Sequence, residues 1–128
     1  MNWVAGVILL AVLECFVFSV LVGRARVRHG IAAPAVTGNA TFDRYFRVHQ
    51  NSLEQLILFV PAAWLFGAYL SALWAAIIGA VFILARIVYA ISYVRAPEKR
   101  GPGAGLSFLA NIVLILGALA GVVRAIVF

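Results

Sequence analysis

The chain has 128 residues, of which 66% are hydrophobic and 11% charged, and its mean hydropathy is +1.10. So apolar a sequence has more hydrophobic surface than one small soluble core can bury, which excludes a water-soluble globule. The formal net charge of +6 raises nucleic acid as a partner, but the placement of the cations argues for membrane headgroups and an acidic ligand instead, and no nucleic acid is expected.

Four apolar stretches, at about residues 3–22, 53–70, 73–93 and 106–123, are long enough at ~1.5 Å per residue to cross or nearly cross ~30 Å of hydrocarbon. The expected architecture is all-α: one domain over residues 1–128, built as a bundle of four transmembrane helices at about 3–22, 47–70, 73–95 and 105–124, with a long loop at about 23–46. The first stretch reads as a span and not as a cleaved signal peptide, because no Lys or Arg precedes it and no clear small-residue cleavage site ends it. Glu14 lies in the middle of this span. Its structural reading is a carboxyl that is protonated or hydrogen-bonded to another helix, with Asn111 as a partner; the functional alternative is a proton relay. Cys15 is the only cysteine, so no intrachain disulfide forms, and it is expected to pack as a small hydrophobe.

The first connection carries or borders Arg24, Arg26, Arg28, Arg44 and Arg47, and Pro34, Gly38 and Asn39 favour turns within it. The second, at about 67–72, has no charge. The third carries or borders Arg95, Lys99 and Arg100. The positive-inside rule therefore places connections one and three in the cytoplasm and both termini on the other side, across the inner membrane if the source is bacterial. A cytoplasmic loop leaves the sequon Asn39-Ala40-Thr41 without a role. The run Gly101-Pro102-Gly103-Ala104-Gly105 lacks the Gly-Lys-Ser/Thr ending of a phosphate loop and is expected to be a turn into the fourth helix. There, Gly117 and Gly121 form a GxxxG pair that permits close helix approach. Trp3, Trp64, Tyr69 and Trp74 fall near the outward helix ends, as interfacial anchors do.

Polar side chains at membrane depth are the strongest functional signal. Arg47, Asn51 and Glu54 stand at i, i+4 and i+7, so a helix projects them from one face, with Gln55 on the same broad stripe. Arg86, Tyr89 and Tyr93 stand at i, i+3 and i+7 near the end of the third helix. The topology puts both rows at the same end of the bundle. They make either an interhelical clamp that only holds the helices together or a pocket offering cations, one carboxylate and phenols to a small zwitterion with excess carboxylate. Metal chemistry is not expected: two histidines, His29 and His49, stand without an HExxH pattern or a cysteine cluster. Ser/His/Asp catalysis would need the sole aspartate, Asp43, to reach a histidine and a serine, and nothing in the spacing supports it.

The stretch Phe42-Asp43-Arg44-Tyr45-Phe46-Arg47-Val48-His49-Gln50-Asn51-Ser52-Leu53-Glu54 resembles the signature of the MAPEG family, the membrane-associated proteins of eicosanoid and glutathione metabolism. The stretch from Leu84 to Arg95, followed by Arg100, resembles the end of that family's third helix. The resemblance covers nearly the whole chain. It implies a homotrimer with glutathione as cosubstrate, bound between neighbouring subunits on the cytoplasmic side. In the glutathione-transferase branch, Arg26 and Arg47 would hold the glutathione carboxylates and Glu54 its ammonium group. Asn51, His49, Tyr89 and Tyr93 would add hydrogen bonds, and Arg100 would lie against the thiol. His49 stands where a relative has glutamine, and Gln55 where it has tyrosine.

The chemistry of such a site follows from elementary acidity. A thiol with a pKa of about 8.5 is mostly protonated at neutral pH, whereas the thiolate is the nucleophile. An arginine beside the sulfur favours the thiolate and, being permanently protonated, does not compete for the proton. The expected activity is glutathione transfer to a lipophilic electrophile arriving from the lipid, with peroxidase activity as a variant. Two other classes stand beside it: a noncatalytic lipid-binding scaffold of the same family, and a small transporter subunit using Glu14.

Overall fold

The computed structural model describes residues 1–128. Four long helices, α1 (Asn2–His29), α2 (Ala40–Tyr69), α3 (Ala72–Arg95) and α4 (Gly101–Val127), account for the architecture, with one 3-10 turn at Pro97–Lys99 and no strand. Each of the four is long and apolar enough to cross a membrane.

The helices outrun the apolar stretches, and local chemistry explains where they stop. α1 continues through its basic tail to Gly30, whose left-handed φ of 67° ends it. Arg26, Arg28 and His29 in the last turn complement the partial negative charge of the helix end. The expected loop at 23–46 therefore shrinks to ten residues, 30–39. Asn39 closes it: its side-chain oxygen accepts from the backbone N–H groups of Thr41 at 2.9 Å and Phe42 at 3.1 Å, which caps α2. The asparagine of the sequon thus has a structural task. Ser71 caps α3 in the same way, through Trp74 N–H at 3.2 Å.

The glycine-rich run before the fourth helix also differs from expectation, because it forms the first turns of α4 and not a loop. Pro102 is tolerated there, where its missing N–H would have no helical partner. Gly103 has a packing reason. A Cβ at this position would lie 2.5 Å from the Tyr89 backbone nitrogen, so only glycine lets the start of α4 rest on the backbone of α3. At the other end of α4, Gly117 and Gly121 face the Phe66 ring and the Tyr69 backbone of α2, so the GxxxG pair packs against α2 of the same chain.

The main core draws on all four helices, with Val4 and Ala11 of α1, Phe66 of α2 and Leu114 of α4 around the rings of Phe59 and Phe82, which stack at 4.2 Å and almost parallel. Only 26 of the 128 residues are buried, so most of the apolar surface faces outward, as a helix bundle set in lipid requires. Trp3, Trp64, Tyr69 and Trp74 are all exposed.

A buried guanidinium and the candidate active site

Arg86 organises the polar interior. It is only 1% exposed, some nine residues and therefore about 14 Å from the end of α3. Its Nη2 donates to Asn51 Oδ1 at 2.7 Å and to Ser52 Oγ at 2.8 Å, and its Nη1 donates to Ser107 Oγ at 3.1 Å. The guanidinium also lies 4.1 Å from the centre of the Tyr89 ring, a cation–π contact that strengthens where water is excluded. One fork thus ties α2, α3 and α4 together. The Ser107 hydroxyl is itself anchored by the Gly103 and Ala104 carbonyls, at 3.0 and 3.1 Å.

The two polar rows meet through this fork, but not as equals. Asn51 and Tyr89 join it, whereas Arg86 is sealed by protein; both of its Nη groups donate within the bundle and its Nε is buried without a partner. Tyr93 lies beside Tyr89, the two rings tilted by 35° with centres 5.7 Å apart. Arg47 and Glu54 are exposed on the outer face of α2 and take part in none of the chain's side-chain hydrogen bonds. His49 is half-buried and equally without such a bond.

Arg26 and Arg100 are placed by other contacts. Arg26 donates to the Ala35 carbonyl at 2.6 Å and lies 4.9 Å from the centre of the Phe42 ring, bracing the first loop against the start of α2. Arg100 is exposed in the connection before α4, where its Nη1 reaches the Pro97 carbonyl at 3.1 Å.

Ser52 and Ser107 complete the fork, and neither stood out in the sequence. The available signal was proximity: Ser52 follows Asn51, and Ser107 precedes Asn111 by one helical turn. Asn111 does not meet Glu14. Its amide donates to the backbone and side-chain oxygens of Gln55, at 3.2 and 2.9 Å, which corrects the expected pairing. Glu14 Oε2 is buried without a hydrogen-bond partner. Cys15 is buried as a small apolar side chain.

These features define a class: a four-helix membrane protein whose second and third helices bracket a polar site at one end of the bundle. A sequence model of the MAPEG family matches residues 4–120. The chain belongs to that family. It is 46% identical over 117 residues to an uncharacterized protein of Synechocystis sp., covering 91% of this chain and 85% of the relative. It is 42% identical over 119 residues to microsomal glutathione S-transferase 2 of Mus musculus, covering 93% and 80% of the two chains. Leukotriene C4 synthase of Cavia porcellus is 36% identical over 96 residues, which cover 75% of this chain and 64% of that enzyme.

Proposed function

We propose that this protein is a membrane-bound glutathione transferase that works as a homotrimer, with its site on the cytoplasmic side. The observation that carries the reading is the outward face of α2. Arg47 and Glu54 sit there exposed and without hydrogen bonds inside the chain, beside an Asn51 held by Arg86. Opposite charges on a membrane helix call for cover. A neighbouring subunit and a zwitterionic ligand between the two subunits supply it. The name of one relative, microsomal glutathione S-transferase 2, supports glutathione as that ligand.

In this reading Arg47 takes a glutathione carboxylate, and Arg26 takes another after exchanging its Ala35 contact. Glu54 takes the ammonium, and Asn51, His49, Tyr89 and Tyr93 donate or accept the remaining hydrogen bonds. Arg86 contacts no substrate. It positions Asn51 and Tyr89 by holding one and stacking on the other. Arg100 leaves Pro97 to lie against the sulfur, where its charge favours loss of the thiol proton to water. The thiolate then forms a carbon–sulfur bond with the electrophile, and the leaving group departs with its electron pair. No protein nucleophile is required.

The test combines assembly with binding. Native mass spectrometry in detergent should give a trimer, and calorimetry should give glutathione binding that weakens in Glu54→Gln. A stable monomer that retained full glutathione affinity would overturn the proposal.

A further inference from the structure

The glutathione reading does not use two adjoining hollows at the basic end of α1, α2 and α3. One, of about 290 Å³, is almost wholly apolar and is lined by Phe18, Leu21, Val48, Ile87, Ala90 and Ile91 among others, with Arg95 at its end. The second, of about 260 Å³, continues from it through the shared Leu21 and Tyr45 to Arg24, Arg28 and His29. Together they make one groove with an oily end and a cationic end. From Phe18 to Arg28 the groove follows α1 for about 15 Å, close to the depth of one leaflet of a ~30 Å hydrocarbon layer.

Charge decides what fits. Arg24, Arg28 and Arg95 are exposed, none of their guanidinium groups is among the chain's hydrogen-bond donors, and no Asp or Glu lines either hollow. A neutral lipid would satisfy the apolar half and leave three arginines unanswered. Basic pockets between transmembrane helices at the cytoplasmic surface suit anionic headgroups. We infer that this groove is a binding site for an anionic membrane phospholipid, with one acyl chain between α1 and α3 and its phosphate among Arg24, Arg28 and Arg95. None of these residues belongs to the glutathione set, so the inference stands independently of that reading.

The experiment reconstitutes the full-length protein in vesicles of phosphatidylcholine and phosphatidylglycerol, extracts it in mild detergent and measures the retained lipids by native mass spectrometry. The wild type should retain phosphatidylglycerol in preference to phosphatidylcholine. Arg24→Gln, Arg28→Gln and Arg95→Gln should each lower that enrichment about fivefold, the equivalent of ~1 kcal/mol per basic side chain near the surface. Lys99→Gln, which changes a cation outside the groove, should leave it unchanged. Ala90→Trp and Ile87→Trp should abolish retention with every arginine in place, because they fill the apolar half. Added oleate should not displace the phospholipid. Equal retention of the two lipids, an equal loss in Lys99→Gln, enrichment that survives both tryptophans, or displacement by oleate would each overturn the assignment. If the tryptophan variants lose their helical circular dichroism, the arginine series against Lys99→Gln still decides.

Discussion

Replacing Arg86 with methionine should loosen the bundle by about 2–7 kcal/mol. The figure follows from what the guanidinium holds: three hydrogen bonds, to Asn51, Ser52 and Ser107, and a cation–π interaction with Tyr89. Side-chain hydrogen bonds inside membrane proteins average about 0.6 kcal/mol and reach about 1.7, and a desolvated cation–π interaction adds roughly 0.5–2. Removing a buried charge is sometimes stabilising in water-soluble proteins, because unfolding returns the ion to water. That relief is absent here. When membrane helices separate, α3 remains inserted and Arg86 turns from its partners towards lipid, so the charge favours the packed state. Methionine keeps most of the volume but leaves Asn51 and Ser52 without their donor. The assay is unfolding of the purified protein by increasing sodium dodecyl sulfate, followed by tryptophan fluorescence and far-ultraviolet circular dichroism. A double-mutant cycle with Ser107→Ala isolates one hydrogen bond and should give a coupling of about 1 kcal/mol. Arg86→Lys should recover only part of the loss, since a single ammonium cannot span Asn51 and Ser107 as the planar fork does. Stability of Arg86→Met within about 0.5 kcal/mol of wild type, with no coupling to Ser107, would refute the role assigned to the fork.

Arg100→Ala should move the midpoint of thiolate formation by bound glutathione to higher pH, because removing a cation disfavours the anion; less thiolate then exists at neutral pH. Turnover there should fall about tenfold to a hundredfold on removal of a charge-assisted interaction of roughly 1.5–3 kcal/mol, and an unchanged ultraviolet thiolate titration with full turnover would remove Arg100 from the chemistry. Arg47→Ala and Glu54→Gln should chiefly weaken glutathione binding while turnover at saturating glutathione falls less, and unchanged affinity by calorimetry would refute their assignment. Gly103→Val should cost about 1–3 kcal/mol in the same detergent unfolding assay, since its side chain would have to push α4 off the Tyr89 backbone; an unaltered unfolding midpoint would contradict that close approach. Asn39→Ala should cost about 1 kcal/mol through loss of the α2 cap, with Asn39→Asp close to neutral, and equal stability of all three proteins would show that the cap contributes nothing.

Much of the architecture is legible in the amino-acid sequence. Long apolar stretches mark spans because a membrane has no water to satisfy an open backbone, and four such helices are present. Their ends are less readable. Hydropathy drops at Gly23, but nothing there breaks a helix, and α1 runs on to a left-handed glycine at Gly30. Gly103 resembles loop punctuation in a linear reading, yet it is the contact point of two helices. Glu14 stands out along the chain as an awkward charge, but its suggested partner, Asn111, turns to Gln55 in the folded protein. Spacing puts residues on one face of a helix; it does not say which helix that face meets.

By itself, the amino-acid sequence determined the class of molecule and the polar rows from which its candidate site is drawn. Composition and run length depend only on which residues occur and in what order, and they suffice for four spans with basic connections at one end and polar rows in the second and third helices. Tertiary structure decided which polar groups are used up and which stay free. Arg86 and Arg47 look alike along the chain, each opening or anchoring a helical row of polar residues. Packing seals Arg86 behind Asn51, Ser52, Ser107 and Tyr89 and leaves Arg47 facing outward. The difference arises because hydrogen bonds of about 3 Å are satisfied across helices, between residues 21 to 35 positions apart, a separation at which helical periodicity carries no information.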